Sequence, residues 1–318
     1  MVEVAHSLAG TARRIAKPLV VVGIPACNEE RSIARVVLEA QKYAEVVVVC
    51  DDGSTDLTGK IAEKLGAVVV RHTENLGYGA AIQSLFEEAR RFDADVFVTV
   101  DGDGQHDADL IPQLIKPILE GKADLATGSR FSGAAKVGNA GLAWYRRVGI
   151  QTITKLANSA SRRKVTDAQN GFRAYGKAAL ERLRLNEDGM GVSVELLVKA
   201  EEEGLRLAEV PIRCNYLGVE KPSSHHPVRH GVSVVSSLVK LVVERRPLTF
   251  LGVPGVISLA VGVFFGVWML QTYAATRQIV TNIALASIAF VMIGFFALSA
   301  AITLYAISRL AEKNRHEK

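Results

Sequence analysis

The sequence predicts a mostly parallel α/β domain followed by two apolar helices long enough to cross a bilayer. Three observations predict it. First, Val- and Ile-rich runs alternate with helix-patterned segments from Pro18 to about Tyr216. Continuous apolar runs joined by helical crossovers belong to strands buried on both faces of a parallel sheet. Second, these runs end in polar, acid-rich turns, and such sheets bind ligands beyond the carboxyl ends of their strands. Third, charge almost vanishes from Leu248 onward, which accounts for a positive mean hydropathy of +0.19 in a chain of 318 residues with a net charge of +5.

Taken in chain order, residues 1–17 lack the continuous apolar stretch of a signal peptide and read as a polar leader. The domain proper is expected over residues 18–229. Strands are expected in PLVVVGIP, EVVVVCD, AVVVRH, DVFVTVD and ADLATGS. Helices are expected between them in NEERSIARVVLEAQKY, TDLTGKIAEKLG, GYGAAIQSLFEEARRF and ADLIPQLIKPILEG. Neither GxGxxG nor GxxxxGK[ST] follows the first strand, so dinucleotide and P-loop readings lose their main support. Cys27, Cys50 and Cys214 are far apart, have no metal-ligand spacing and read as reduced thiols.

In residues 230–246, Val232, Val235, Leu238, Val239, Val242 and Val243 recur at helical spacing, with Lys240, Glu244 and Arg245 elsewhere. This predicts an amphipathic helix lying in the membrane interface, with an ordinary helix of the soluble domain as the alternative. Residues 247–318 hold two expected spans, Leu248–Gln271 and Ile283–Leu310, without an ionised side chain before Arg309. Arg245 and Arg246 precede the pair, Arg309, Lys313, Arg315 and Lys318 close it, and the connecting loop has only Arg277. The excess of basic residues predicts that both termini and the N-terminal domain lie in the cytoplasm.

The acid-rich turn VTVDGDGQHDADL, Val98 to Leu110, carries the most chemistry. In an extended segment Asp101, Asp103 and Gln105 point to one side, and Gly102 and Gly104 leave room for a close ligand. Two carboxylates and an amide oxygen are hard donors that suit Mg²⁺ or Mn²⁺, with substrate phosphate oxygens filling other positions. A solvated turn leading into a helix capped by Asp107 or Asp109 is the alternative. CDDGSTD places Asp51 and Asp52 at the end of the second strand. A carboxylate there can accept hydrogen bonds from a ribose or a base, or simply start a turn.

In this order, IPACNEE, DDGSTD, NLGYGAA, DGDGQH, GSRF, NGFRAY and EVPI resemble the inverting GT-A glycosyltransferases of family two. With the two-span tail, the chain resembles their dolichol-phosphate mannose or glucose synthase type. The resemblance implies a Rossmann-like GT-A fold. It also implies a membrane enzyme that moves a hexose from a nucleotide sugar to polyprenyl phosphate with inversion. UDP-glucose, UDP-N-acetylglucosamine and GDP-mannose are the donors that fit. By the same resemblance, Pro25, Cys27, Glu29, Asp51 and Gly102 line the nucleotide pocket, and Asp52 binds the base. Asp101, Asp103 and Gln105 hold the metal on the donor diphosphate. Arg130 and Arg146 or Arg147 face the donor and acceptor phosphates, with Arg173 near them.

The chain departs from that pattern twice. Tyr78 stands where many relatives carry lysine. After Pro211 the segment RCNYLGVEKPSSHHPVRHG replaces an arginine followed by a Ser-Lys pair. Acceptor-phosphate binding is therefore expected among Lys221, Ser223, Ser224 and His230, without a single basic residue being singled out. His225, His226 and His230 read as loop histidines beside a phosphate, since no cysteine or acid completes a zinc site. The expected partners are a nucleotide-sugar donor, a polyprenyl phosphate and the bilayer. No nucleic acid is expected, and oligomerisation is left open. The alternatives are transfer to another lipid or a polysaccharide, and a membrane-anchored nucleotide-binding protein without turnover.

Overall fold

The computed structural model describes residues 17–132, 144–160, 164–214 and 247–316. They fall into two compact units. The first is a seven-stranded sheet with its helices, drawn from residues 17–132, 170–186 and 203–214. Its elements are β1 (Val20–Ala26), α1 (Ile33–Ala40), β2 (Val46–Asp52), α2 (Thr58–Lys64), β3 (Val68–His72), α3 (Tyr78–Arg91), β4 (Val96–Thr99), a 3-10 turn (Ala108–Leu110), α4 (Ile111–Leu119), β5 (Leu125–Ser129), β6 (Arg173–Gly176), α6 (Lys177–Arg182) and β7 (Leu207–Pro211). The second unit contributes α5 (Trp144–Ala160), α7 (Val192–Glu202), α8 (Val253–Thr276) and α9 (Thr281–His316).

The strand order is β3-β2-β1-β4-β6-β5-β7. β1 runs parallel to β2 and β4, β2 to β3, and β5 to β7. β6 is antiparallel to both its neighbours. The five expected strands all form. β6 and β7 arise from NGFRAY and EVPI, which are too short and too mixed to read as strands. Because β6 runs backwards, its first residue, Arg173, pairs with Thr99 at the end of β4. The start of β6 thus lies on the same edge as the carboxyl ends of β1, β2 and β4.

Strand alternation decides which helices cover which face. Val20, Val22, Ile24 and Ala26 join Val47, Val49 and Val98 in a core closed by Ile33 and Val37 of α1 and Ile111 and Leu114 of α4. The other face is aromatic. Phe86 of α3 meets Phe97 and Tyr175 edge-on at 5.3 and 4.8 Å between ring centroids. Gly23 is needed there, because a Cβ would lie 2.6 Å from the Phe97 ring.

In the second unit, Asn158 of α5 exchanges two hydrogen bonds with the backbone of Val165, and Thr154 Oγ1 accepts from Ala168 N–H. α8, entered through a π-helical turn at Leu248–Gly252, and α9 are long and apolar enough to cross a membrane. The apolar stretch Leu248–Thr276 has 29 residues, roughly 40 Å of helix against a hydrocarbon layer of about 30 Å. The two helices touch through small residues. A Cβ on Gly262 would lie 2.7 Å from Val291 N, and one on Gly294 would lie 2.7 Å from Leu259 N. Ser287 Oγ donates to Gly262 O and Ser258 Oγ to Phe290 O, each at 2.8 Å. The expected interfacial helix at residues 230–246 and the leader up to residue 16 lie outside the described residues.

Candidate functional site

The acid turn begins earlier than the sequence implies. β4 stops at Thr99, and residues 102–104 turn over, with Gly104 in the left-handed region at φ +71°. Strand alternation therefore does not align Asp101, Asp103 and Gln105; the turn brings the first two together. Asp103 Oδ1 accepts from the Gln105 N–H at 2.9 Å. Gln105 itself is half-buried in the same turn. Burial pushes the Asp103 carboxyl up, and the neighbouring Asp101 carboxylate adds to the rise. Glu29 is also pushed up, by burial first and then by Asp103, Asp56 and Asp101 against the hydrogen bond from Ser32. Asp107 N-caps the 3-10 turn, accepting from Asp109 N–H at 3.0 Å.

Helix α1 holds this turn from outside. It starts at Ile33, because Asn28 takes a left-handed conformation (φ 57°) and residues 28–32 form a loop in place of the expected first helical turn. Ser32 Oγ donates to Gly102 O and Arg35 Nη2 to Gly104 O, both at 2.8 Å. Gly102 N–H donates to Pro25 O at 3.3 Å, and a Cβ on Gly102 would lie 3.0 Å from that same oxygen.

At the end of β2, Asp51 Oδ1 accepts from Ser54 N–H at 3.1 Å. Asp52 is 4% exposed. Its oxygens accept from Leu76 N–H at 2.9 Å and Gly77 N–H at 3.0 Å, and His72 Nδ1 lies 2.7 Å away. His72 Nε2 is 2.9 Å from Ser84 Oγ on α3. Cys27 is half-buried and its Sγ accepts from Asn75 Nδ2 at 3.1 Å. Burial raises the thiol and Asn75 opposes this, while Asp52, Asp51 and Asp56 add to it, so it stays protonated at neutral pH. The loops after β1 and β2 are laced together. Asn28 Oδ1 accepts from Thr55 N–H at 2.9 Å, and Thr58 Oγ1 accepts from Glu29 N–H at 2.7 Å.

The start of β6 closes the site. Thr99 Oγ1 donates to Gly171 O at 2.6 Å, and Asn170 Oδ1 accepts from Phe172 N–H at 2.9 Å. Tyr78, the first residue of α3, donates its hydroxyl to Asp101 Oδ1 at 3.0 Å. A Cβ on Gly171 would lie 2.6 Å from both of those oxygens. Burial pushes the Tyr78 phenol well up, Asp101 adds to this, and Arg173 opposes it. His106 stacks on Phe172 at 5.4 Å, and its Nδ1 lies 3.6 Å from Asp101 Oδ2. Burial, the largest single influence, disfavours the imidazolium, but Asp101, Cys214 and Asp103 together outweigh it and push His106 up to about 9. The 3.4 Å contact from Asp101 N–H to the same nitrogen needs the neutral ring, so it and the ion pair are alternatives.

Arg130 follows β5, with its guanidinium 5.9 Å from the Phe131 ring centroid. Arg173 opens β6 and is 2% exposed. Arg146 and Arg147 lie on α5, where Arg147 is exposed; the Arg146 side chain is outside those described. Lys221, Ser223, Ser224 and His230 lie outside the described residues. Glu195 on α7 is buried, pairs with Lys199 at 2.8 Å and accepts from Glu187 N–H at 3.0 Å. Ser32, Arg35 and Gly171 were not singled out by the sequence. The only sequence cue for the first two is their i, i+3 spacing at the start of α1, which faces them the same way.

The donor set fits a divalent ion. Asp101 and Asp103 are adjacent carboxylates whose mutual repulsion a cation would relieve. Among the described residues no group of three His, Cys, Asp or Glu side chains is arranged to hold a metal. Mg²⁺ is commonly held by one or two carboxylates together with substrate phosphates.

Residues 21–184 match the family described as Glycosyl transferase family 2. The chain is 32% identical over 223 residues to the UDP-N-acetylglucosamine--dolichyl-phosphate N-acetylglucosaminyltransferase of Methanococcus voltae, covering 64% of this chain and 88% of that one. It is 31% identical over 221 residues to the dolichyl-phosphate hexose transferase of Haloferax volcanii, covering 69% and 92%. Among solved structures, glucosyl-3-phosphoglycerate synthase from Mycobacterium tuberculosis, in complex with Mn²⁺ and UDP-glucose, superposes with a TM-score of 0.55 at 23% identity, over 71% of this chain and 79% of that one.

Proposed function

Because the chain belongs to glycosyl transferase family 2, we propose that it transfers a hexose from a nucleoside-diphosphate sugar to a membrane-embedded polyprenyl phosphate, inverting the anomeric carbon. The observation that carries this reading is the Asp101–Asp103 pair on the carboxyl edge of the sheet, in a chain that ends in two bilayer-length helices. The relatives named above act on dolichyl phosphate with N-acetylglucosamine and hexose respectively, so they support the acceptor class and leave the sugar open. UDP-glucose, UDP-N-acetylglucosamine and GDP-mannose all fit.

In this reading Pro25, Cys27, Glu29, Asp51, Asp52 and Gly102 wall the nucleotide. Asp101, Asp103 and Gln105 hold Mg²⁺ or Mn²⁺ against the diphosphate. When bound, that ion neutralises the charge that develops on the departing nucleotide. Arg130 and Arg146 or Arg147, with Arg173 nearby, bring together two anions that would otherwise repel, through charge-assisted hydrogen bonds. Lys221, Ser223, Ser224 and His230 are assigned to the acceptor phosphate. That phosphate has a second pKa of about 6 and is largely a dianion at neutral pH. It attacks without a general base, so the chain's task is to align the acceptor and stabilise the leaving group.

The membrane helices follow from the acceptor. Each CH₂ of a polyprenyl chain costs about 0.8 kcal/mol to withdraw from the bilayer, so the site must come to the lipid headgroup. α8 and α9 as spans, with residues 230–246 in the interface, hold the domain there, and we assign the domain and both termini to the cytoplasmic side. The test is transfer of radiolabel from each of the three nucleotide sugars to polyprenyl phosphate in membranes containing the protein, with and without EDTA. A lipid-extractable product that is lost with EDTA and in Asp103→Ala is expected. Undiminished transfer by Asp103→Ala, or no lipid product from any donor, overturns the reading.

A further inference from the structure

We propose that Tyr78 is a positioning residue for the metal-binding carboxylate Asp101, held in place by Asp52; this rests on the reading of Asp101 given above. The geometry is a short relay. The Tyr78 hydroxyl donates to Asp101 Oδ1 at 3.0 Å. Tyr78 is the first residue of α3, so its place is set by the turn before it. That turn is fastened by Asp52, whose Oδ1 and Oδ2 accept from Leu76 N–H and Gly77 N–H at 2.9 and 3.0 Å. Gly77 itself has φ +105°, a conformation that L side chains rarely adopt.

The backbone at Gly171 lies beside the same pair, for a Cβ there would lie 2.6 Å from the hydroxyl and from Asp101 Oδ1. Thr99 Oγ1 pins that backbone by donating to Gly171 O at 2.6 Å. Asp101 is thus met by a phenol at Oδ1 and by His106 at Oδ2, with a glycine backbone beside them. A tyrosine hydroxyl contributes one donor at a fixed distance from the chain, so it selects one rotamer of the carboxylate it meets. Outer-sphere partners of this kind orient metal ligands, and losing one typically costs 10–100-fold in metal affinity. The position where many family members carry lysine would here serve the ion through its ligand.

The test is Mn²⁺ binding, read without turnover as loss of the free-ion EPR signal. The sample is the full-length protein in detergent with UDP, and in a parallel arm with GDP. Tyr78→Phe removes one oxygen and is expected to weaken Mn²⁺ binding 10–100-fold, while nucleotide-sugar turnover recovers at high Mn²⁺. Gly171→Ala keeps the tyrosine but displaces both its hydroxyl and Asp101, and a loss of similar size is expected. Mn²⁺ affinity within twofold of the natural protein in both variants overturns the inference and leaves the proposed function standing. If the natural protein binds no Mn²⁺ with either nucleotide, the inference is overturned, and the proposed function stands or falls on the transfer assay.

Discussion

Asp124 illustrates how a single carboxylate can fix the far edge of the sheet. Arg206 donates to it from Nε and Nη2 at 3.0 and 2.8 Å, and its backbone N–H adds a third bond at 2.8 Å. The Arg206 hydrogen bond holds the Asp124 carboxyl below its usual range. Because the folded value lies below the unfolded one of about 3.9, the stabilisation is complete above that pH and fades as pH falls through the folded value. Asp124→Asn is expected to cost on the order of 1 kcal/mol at pH 7, as the arginine is half-exposed. The gap in melting temperature from the natural protein should shrink below about pH 4. Residue types carry part of this legibly. Asp101 and Asp103 stand out in the sequence because hard donors flanked by glycine suggest an ion. The engagement of Asp52 by the amides of Leu76 and Gly77 does not stand out, because backbone donors carry no residue signature.

Among the elements, α1 is both a core helix and a clamp. Ile33, Val36 and Val37 face the sheet, while Ser32 and Arg35 grip the carbonyls of Gly102 and Gly104. Removing either donor leaves the Asp101–Asp103 turn less constrained. Ser32→Ala and Arg35→Ala are each expected to cost about 1 kcal/mol in turn geometry, and to raise the Mn²⁺ concentration for half-maximal transfer several-fold. The double variant should shift it further in the same assay. At this scale β1 to β4 were legible because each is a Val-rich run ending in a turn, whereas LATGS of β5 has no valine and signals a strand more weakly. β6 was not: RAYG has four residues and is fully buried, so neither length nor alternation marks it. Its reversed direction, which brings Gly171 and Arg173 to the site, depends on the sheet's topology. The start of α1 was misplaced for a related reason. Asn-Glu-Glu is a good helical opening, but the left-handed Asn28 and its bond from Thr55 hold a loop there.

For the whole molecule, the two apolar helices decide where the domain works. With α8 and α9 as spans, the loop at residues 277–280 faces the side opposite both termini. A membrane-impermeant maleimide should label Gln278→Cys on intact cells and label Glu312→Cys only after permeabilisation. The reverse pattern overturns the assignment of the domain to the cytoplasm. The helices themselves were plain from composition. Their contact was not, because Gly255, Gly262 and Gly294 matter only through the backbones they allow to approach.

The reversed strand has one more consequence. β5 ends at Ser129 and β6, its neighbour in the sheet, begins at Arg173, so the sequence makes a long detour between paired strands. β1 through β4, which carry the acid turn and the laced loops after β1 and β2, are complete before the detour begins. Changes of length within that detour therefore leave the pairing of β1 with β2 and β4 untouched.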